Sequence, residues 1–221
     1  MNGGAFCDNV HQIVEAFSTA LDAKNTCMRG HSERVADLSL LLARTLNLVP
    51  EEQSRIHIGA HLHDIGKIGI PDAILNKNGK LTETEFAVIR QHPGIGSDIV
   101  GRVRVLGGMT DIVRHHHERY DGMGYPDRLT GEKISLGARI VAAADAFDAM
   151  TGQRSYRLAM SVNDALAEMR RCRGTQFDAR VVDALALMAD QGEGPFGTGW
   201  YLSVEPEPLR PVAGFKQSGG W

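Results

Sequence analysis

Histidine and aspartate residues recur along this 221-residue chain at points where amphipathic segments begin or end. Imidazole nitrogens and carboxylate oxygens are ligands that bind divalent metal ions. An aspartate has two oxygens, so it can bridge two ions and leave each with open positions for water and a substrate oxygen. The candidate ligands are His31, His63, Asp64, His92, His116, His117 and Asp145. This set predicts a centre for two ions.

Other histidines have simpler explanations. A single histidine at a helix end more often compensates the helix dipole than binds a metal, so the joint pattern carries the prediction. His57 and His61 lie four residues apart and could pair on a zinc ion, but the sequence places no carboxylate or further histidine on that face. We therefore expect an ordinary polar face there. The histidines left out of the centre are His11, His57, His61 and His115.

Amphipathic helices are expected to position the candidate ligands. Apolar residues recur at helical spacing, a capping box runs from Thr82 to Glu85, and no strand-like alternation exceeds four residues. Helices are predicted over 10–23, 32–48, from Pro50 to the pair Gly66 and Gly69, and over 82–92, 95–104, 109–118, 136–150, 161–171 and 178–190. The predicted fold class is all-α.

Composition excludes some classes of protein. The 24 basic residues against 27 acidic residues give a net charge of -3, so no basic field indicates a duplex nucleic acid partner. Three scattered cysteines argue against a disulfide framework and favour a reducing compartment, with the cytoplasm as the expected location. The apolar run over 38–49 is too short to span a bilayer.

The chain divides at about residue 190. Residues 1–190 carry the helical pattern, whereas residues 191–221 are rich in glycine and proline and lose it. We predict one domain over 1–190, followed by a tail that contains no candidate ligand.

Five motifs resemble one known family. They are "HLHDIGKIGIPDAIL" (61–75), "RQHPGIG" (90–96), "HHHERYDGMGYP" (115–126), "GARIVAAADAFDAMTGQRSYR" (137–157) and "GTQFD" (174–178). In order and spacing they are similar to the HD-GYP family, a branch of the metal-dependent HD phosphohydrolases that hydrolyses cyclic di-GMP in bacteria. The resemblance covers roughly residues 25–188 and implies a helical bundle of HD-domain type with a metal site inside it.

The resemblance assigns ligands to each ion. It gives one ion to His31, His63, Asp64 and Asp145, and the other to Asp64, His92, His116 and His117. Iron or manganese is expected, with zinc, nickel, cobalt and magnesium as alternatives. Some family members place a glutamate one helical turn before the first histidine, where it helps bind a third ion. Cys27 occupies that position, so we expect two ions.

The resemblance also implies substrate contacts. It places Lys67 beside the metals, Arg154 and Arg157 against phosphates, and Tyr125 where its ring could hold a purine or a partner protein. Asp64 and Lys67 are the expected catalytic residues. Family members often have glycine where this chain has Arg128, which leaves the substrate preference open.

The expected reaction is hydrolysis of the 3′,5′-phosphodiester bonds of cyclic di-GMP to linear pGpG, with further cleavage to GMP left open. A hydroxide that bridges the ions would attack phosphorus while the ions and Lys67 stabilise the developing charge. Two alternatives remain: a phosphodiesterase for another cyclic dinucleotide, or a silent module that binds cyclic di-GMP or a GGDEF-domain protein. The loop that contains the sequence GYP, residues 124–126, is the expected contact for a GGDEF-domain partner. Whether the chain forms a homodimer is left open.

Overall fold

The computed structural model describes residues 3–24, 30–152 and 159–196. As predicted, the chain is all-α: within these ranges the regular elements are helices, and the β-structure consists of one isolated bridge between Arg173 and Phe177. The α-helices are α1 (Gly3–Lys24), α2 (His31–Thr45), α3 (Pro50–Leu62), α4 (Asp72–Leu75), α5 (Glu83–Ile89), α6 (His92–Gly101), α7 (Thr110–His115), α8 (Leu136–Thr151), α9 (Val162–Arg171) and α10 (Ala179–Gln191). In the described part of the chain, none of these helices has the length and apolarity needed to cross a bilayer.

The main core joins four of the longer helices. Leu42 of α2, Ile56 of α3, Phe147 of α8 and Leu185 of α10 are almost fully buried in one apolar cluster. Burying each such side chain stabilises the fold by roughly 1.5–3 kcal/mol. Because α2 and α8 carry candidate ligands and α3 leads directly into the His63-Asp64 pair, this packing fixes the elements that surround the centre.

The helix that begins at Pro50 ends earlier than expected. It stops at Leu62, and a 3₁₀-helix over Ile65–Gly69 follows the His63-Asp64 pair. This tight turn packs directly on the start of α6, and a side chain at Gly66 would clash with the backbone carbonyl of His92. The glycine therefore permits the close approach that sets Asp64 beside His92.

The expected boundary at the start of α5 is confirmed. The side chain of Thr82 accepts a hydrogen bond from the backbone of Glu85, and the carboxylate of Glu85 accepts one from the backbone of Thr82. The predicted helix over 109–118 is shorter than expected, because α7 ends at His115 and the following histidines lie in the turn after it.

Candidate metal centre

All candidate ligands except Asp145 lie at or next to the ends of helices. His31 is the first residue of α2, the His63-Asp64 pair follows α3, and His92 is the first residue of α6. His116 and His117 follow α7, and Asp145 lies within α8. The helix packing turns these ends towards one interior region, so that residues separated by more than 100 positions become neighbours.

Two groups of ligand atoms overlap at one aspartate. The first contains His31, His63 and Asp64, and the second contains Asp64, His92, His116 and His117; within each group the ligand atoms lie within 4.8 Å of one another. Asp64 is therefore common to both groups, as a bridging ligand would be.

The two oxygens of Asp64 face different histidines. Oδ1 lies 3.2 Å from Nε2 of His92 and 4.0 Å from Nε2 of His116, whereas Oδ2 lies 3.4 Å from Nε2 of His63. Asp145 reaches the first group through His31, because its Oδ1 lies 3.3 Å from Nε2 of that ring. This arrangement suits one carboxylate oxygen for each of two ions.

Backbone carbonyl groups fix the orientation of three rings. The bonds run from Nδ1 of His63 to Ala60 (2.6 Å), of His92 to Ile89 (2.8 Å) and of His116 to Val113 (2.8 Å). Because Nδ1 donates its hydrogen to each carbonyl, Nε2 keeps a lone pair that is available to a metal.

Several buried atoms in the centre have no hydrogen-bond partner. They are Nε2 of His31, Nε2 of His63 and Oδ1 of Asp64. Leaving such groups buried and unpaired costs free energy. One cation beside His31 and His63 and another beside Oδ1 of Asp64 would satisfy them. The donor set of imidazoles and carboxylates therefore fits divalent transition metals.

The charges of the centre also favour a cation. Burial disfavours the charged form of His31, but the neighbouring carboxylates of Asp145 and Asp148 raise its pKa to about 9. The two carboxylates therefore favour positive charge at this position, which a bound cation would also supply. On the other side, burial together with the neighbouring His92 lowers the pKa of His117 to about 3, which leaves a neutral ring.

Asp148 is a functional candidate that the sequence reasoning missed. Its Oδ2 lies 2.7 Å from Nδ1 of His31, and its Oδ1 accepts a 2.6 Å bond from Nε of Arg34. A carboxylate behind a ligating histidine orients the ring and increases its basicity. The available signal was spacing, because Asp148 follows Asp145 by one helical turn in α8.

Lys67 and Tyr125 both lie beside the candidate ligands. The ammonium of Lys67 forms an ion pair with Oδ2 of Asp64. The ring of Tyr125 stacks on His117 with centroids 4.9 Å apart and an interplanar angle of 28°. The guanidinium of Arg90, a second residue that sequence reasoning missed, lies 5.3 Å from the Tyr125 centroid. Cys27, Arg154 and Arg157 lie outside the described residues.

A cleft of about 550 Å³ adjoins this tyrosine, and Arg90, Tyr125 and Arg128 are among its lining residues. Arg128 has φ 54°, a left-handed conformation that favours glycine. This backbone conformation suits the glycine that family members often have here. In this chain Arg128 instead adds a cation to the lining of the cleft. A side chain at Gly124 would clash with the backbone of residues 117–119, so the turn requires glycine there.

The excluded histidines fall into two classes. His115 points away from the centre, with Nε2 3.0 Å from Asp127. The expectation that no further histidine accompanies His57 and His61 is wrong, because α1 brings His11 within 4.9 and 5.4 Å of those rings. The sequence could not show this contact, since it depends on how α1 packs on α3.

Similarity to known proteins agrees with the geometry. A family model described as "HD domain" matches residues 15–181. The chain is 48% identical over 178 residues to the cyclic di-GMP phosphodiesterase response regulator RpfG of Xanthomonas campestris, covering 79% of this chain and 47% of that protein. It is 39% identical over 183 residues to 3′3′-cGAMP-specific phosphodiesterase 3 of Vibrio cholerae, covering 81% of this chain and 40% of that protein.

A solved structure shares the fold. The crystal structure of a cyclic GMP-AMP-specific phosphodiesterase of Vibrio cholerae (V-cGAP3) superposes with a TM-score of 0.64 at 19% identity, over 80% of this chain and 48% of that one. The chain spans about half the length, or less, of the relatives that it matches. With the family model covering most of its residues and all five motifs present, the chain belongs to the HD domain family, in its HD-GYP branch.

Proposed function

We propose that this chain is a metal-dependent phosphodiesterase that hydrolyses cyclic di-GMP to linear pGpG. The observation that carries the proposal is the position of Asp64, which belongs to both groups of ligand atoms and faces a different histidine with each oxygen. The names of the relatives support a cyclic dinucleotide as the substrate class.

The proposed ligands are those that the sequence predicted. His31, His63, Asp64 and Asp145 hold one ion, and Asp64, His92, His116 and His117 hold the other. Iron or manganese is the proposed metal. When bound, the ions supply a nucleophile from water near neutral pH and stabilise negative charge on the phosphate.

The residues around the centre hold and orient the substrate. Lys67, already within reach of Asp64, contributes a positive charge to the phosphoryl oxygens. Tyr125 offers a ring for a guanine base, and Arg90 and Arg128 bring cations to the adjacent cleft. The volume of this cleft is within the roughly 300–1,000 Å³ that is typical of small-molecule sites.

The test is turnover of cyclic di-GMP by the purified, metal-loaded chain, measured together with its metal content. Asp64→Ala removes the ligand common to both groups, so we expect bound metal and hydrolysis to be lost together. His115→Ala is the matched control, because it removes a histidine that lies next to the ligands and faces Asp127. Full activity with two ions bound in the Asp64 variant would refute the bridging assignment.

A second candidate substrate follows from the relatives. Because one relative is named a 3′3′-cGAMP-specific phosphodiesterase, the mixed cyclic dinucleotide belongs in the same assay. A higher kcat/KM for 3′3′-cGAMP than for cyclic di-GMP would change the proposed substrate and leave the metal chemistry intact. Binding of either dinucleotide without turnover in the metal-loaded chain would instead favour the silent module.

A further inference from the structure

A second histidine cluster lies between α1 and α3, apart from the proposed catalytic centre. It consists of His11, His57 and His61, whose ligand atoms all lie within 4.8 Å of one another. The ring centroids of His57 and His61 are 4.8 Å apart, and the rings are tilted by 58°. The ligand atoms of the proposed catalytic groups also lie within this distance of one another.

Ring nitrogens of this cluster lack hydrogen-bond partners. Both nitrogens of His61 are buried and unpaired, as are Nε2 of His11 and Nε2 of His57. His61 is only 3% exposed, and its backbone carbonyl accepts a 2.7 Å bond from the hydroxyl of Ser18 in α1. Three imidazoles that converge without partners leave lone pairs for an electrophile, as in a metal site.

Two carboxylates lie behind the outer rings. Oε1 of Glu15 lies 3.5 Å from Nδ1 of His11, and Oδ1 of Asp37 lies 3.7 Å from Nε2 of His57. At His11 the carboxylate lies next to Nδ1 and leaves Nε2 as the ligating atom, whereas at His57 it lies next to Nε2 and leaves Nδ1. The acidic groups also compensate the charge of a divalent cation.

We propose that His11, His57 and His61 form a second metal site, which binds a transition-metal ion of the zinc class and ties α1 to α3. Three imidazole ligands favour zinc, cobalt, nickel or copper over magnesium or calcium. Ligands of a tetrahedral zinc ion lie roughly 3.3 Å apart, so the rings need only small rotations to close on the ion. The side chains of His11 and His57 are 33% and 17% exposed, so solvent reaches the outer rings of the cluster.

The site depends on a residue outside the part of the chain that matches the family model. That match begins at residue 15, so His11 precedes it, whereas His57 and His61 lie inside it. The ion would thus attach the first turns of α1 to the part of the chain that matches the family model. Binding of the ion at this site is expected to raise the thermal stability of the protein. The ion takes no part in hydrolysis.

The test counts metal ions in the full chain. Co²⁺ is added at micromolar concentration against a competing chelator, and the ligand-field absorption and bound ions per chain are compared for the unmodified protein, His11→Ala, His57→Ala and the control His115→Ala. Each cluster variant should bind one ion fewer, with its affinity at this site weakened at least roughly 10- to 100-fold. The control should bind as the unmodified protein does.

Thermal melting with and without Zn²⁺ gives a second measurement. We expect Zn²⁺ to raise the melting temperature of the unmodified protein and of His115→Ala more than that of either cluster variant. Hydrolysis by the metal-loaded cluster variants should be unchanged, which separates this site from the proposed catalytic one. Equal ion counts in all four folded proteins would overturn the proposal.

Discussion

At the scale of single residues, the centre depends on groups behind the ligands as well as on the ligands. Carbonyl oxygens orient His63, His92 and His116, whereas a carboxylate orients His31. Asp148 itself forms an ion pair with Arg34, and this pair restricts the orientation of the His31 ring. Such an arrangement lowers the conformational freedom that an ion would have to restrict on binding.

Replacing Asp148 is therefore expected to weaken metal binding without removing a ligand. In Asp148→Ala, His31 loses its 2.7 Å partner, and we expect the metal affinity to fall roughly 10- to 100-fold. Asp148→Asn, which keeps an acceptor oxygen, should lose less. Affinity is measured by competition with a chelator, after circular dichroism has confirmed folding.

Asp111→Ala serves as the control for this change. Asp111 pairs with Arg55 at a partly exposed position, and no candidate ligand is involved in that pair. The proposed role of Asp148 would be wrong if the Asp148 and Asp111 variants bound metal equally well.

The residue types of the centre could be predicted from the sequence, but the side chains that contact each ligand from another helix could not. His31 and Asp145 stand at recognisable motif positions, whereas the role of Asp148 depends on which ring it meets across the bundle. The contact of His11 with His57 was missed for the same reason. Spacing along one helix predicts neighbours on that helix and gives no information about a helix packed against it.

At the scale of elements, the 3₁₀-helix over Ile65–Gly69 connects the fold to the site. It lies against the start of α6 so closely that Gly66 has no room for a side chain, and Gly96 of α6 likewise faces Val113 at short range. The sequence predicted helices at most of the observed places. Their exact ends were less predictable, because contacts such as that between Gly66 and His92 decide where α3 stops.

Gly66→Ala should separate these elements. The added methyl group would meet the carbonyl of His92, and relieving that contact requires the backbone to move. We expect a loss in the free energy of unfolding of about 1–3 kcal/mol or more, together with weaker metal binding, since Asp64 and His92 would move apart. Urea unfolding and chelator competition measure the two effects.

Gly107→Ala is the matched control, because a side chain there would meet nothing within 4 Å. Its free energy of unfolding should change far less. If both variants unfolded at the same urea concentration and bound metal equally, the close approach at Gly66 would not determine the position of Asp64 beside His92.

At the scale of the whole molecule, a modest net charge of -3 coexists with a locally cationic cleft. Lys67, Arg90 and Arg128 lie around the proposed centre and cleft, which allows an anionic substrate to be attracted there without a basic surface elsewhere. The sequence predicted a local positive cluster of Lys67, Arg154 and Arg157, of which the two arginines lie outside the described residues. The fold adds Arg90.

The end of the helical core lies slightly beyond the boundary predicted at residue 190. Pro195 is buried, and the ring of Phe196 lies 5.4 Å from that of Phe147 in the main core. Residues 194–196 therefore pack as part of the domain. Truncation after Phe196 should leave metal content and turnover unchanged, since the removed residues contain no candidate ligand.

Truncation after Asp190 should destabilise the protein, because it removes Phe196 and exposes Phe147. Losing a partly buried aromatic contact costs roughly 1–3 kcal/mol, which for a domain of this size lowers the melting temperature by roughly 2–12 °C. Calorimetry of the two truncated proteins beside the full chain measures the difference. A protein truncated after Phe196 that folds and binds metal but no longer hydrolyses cyclic di-GMP would show instead that the tail contributes to the site.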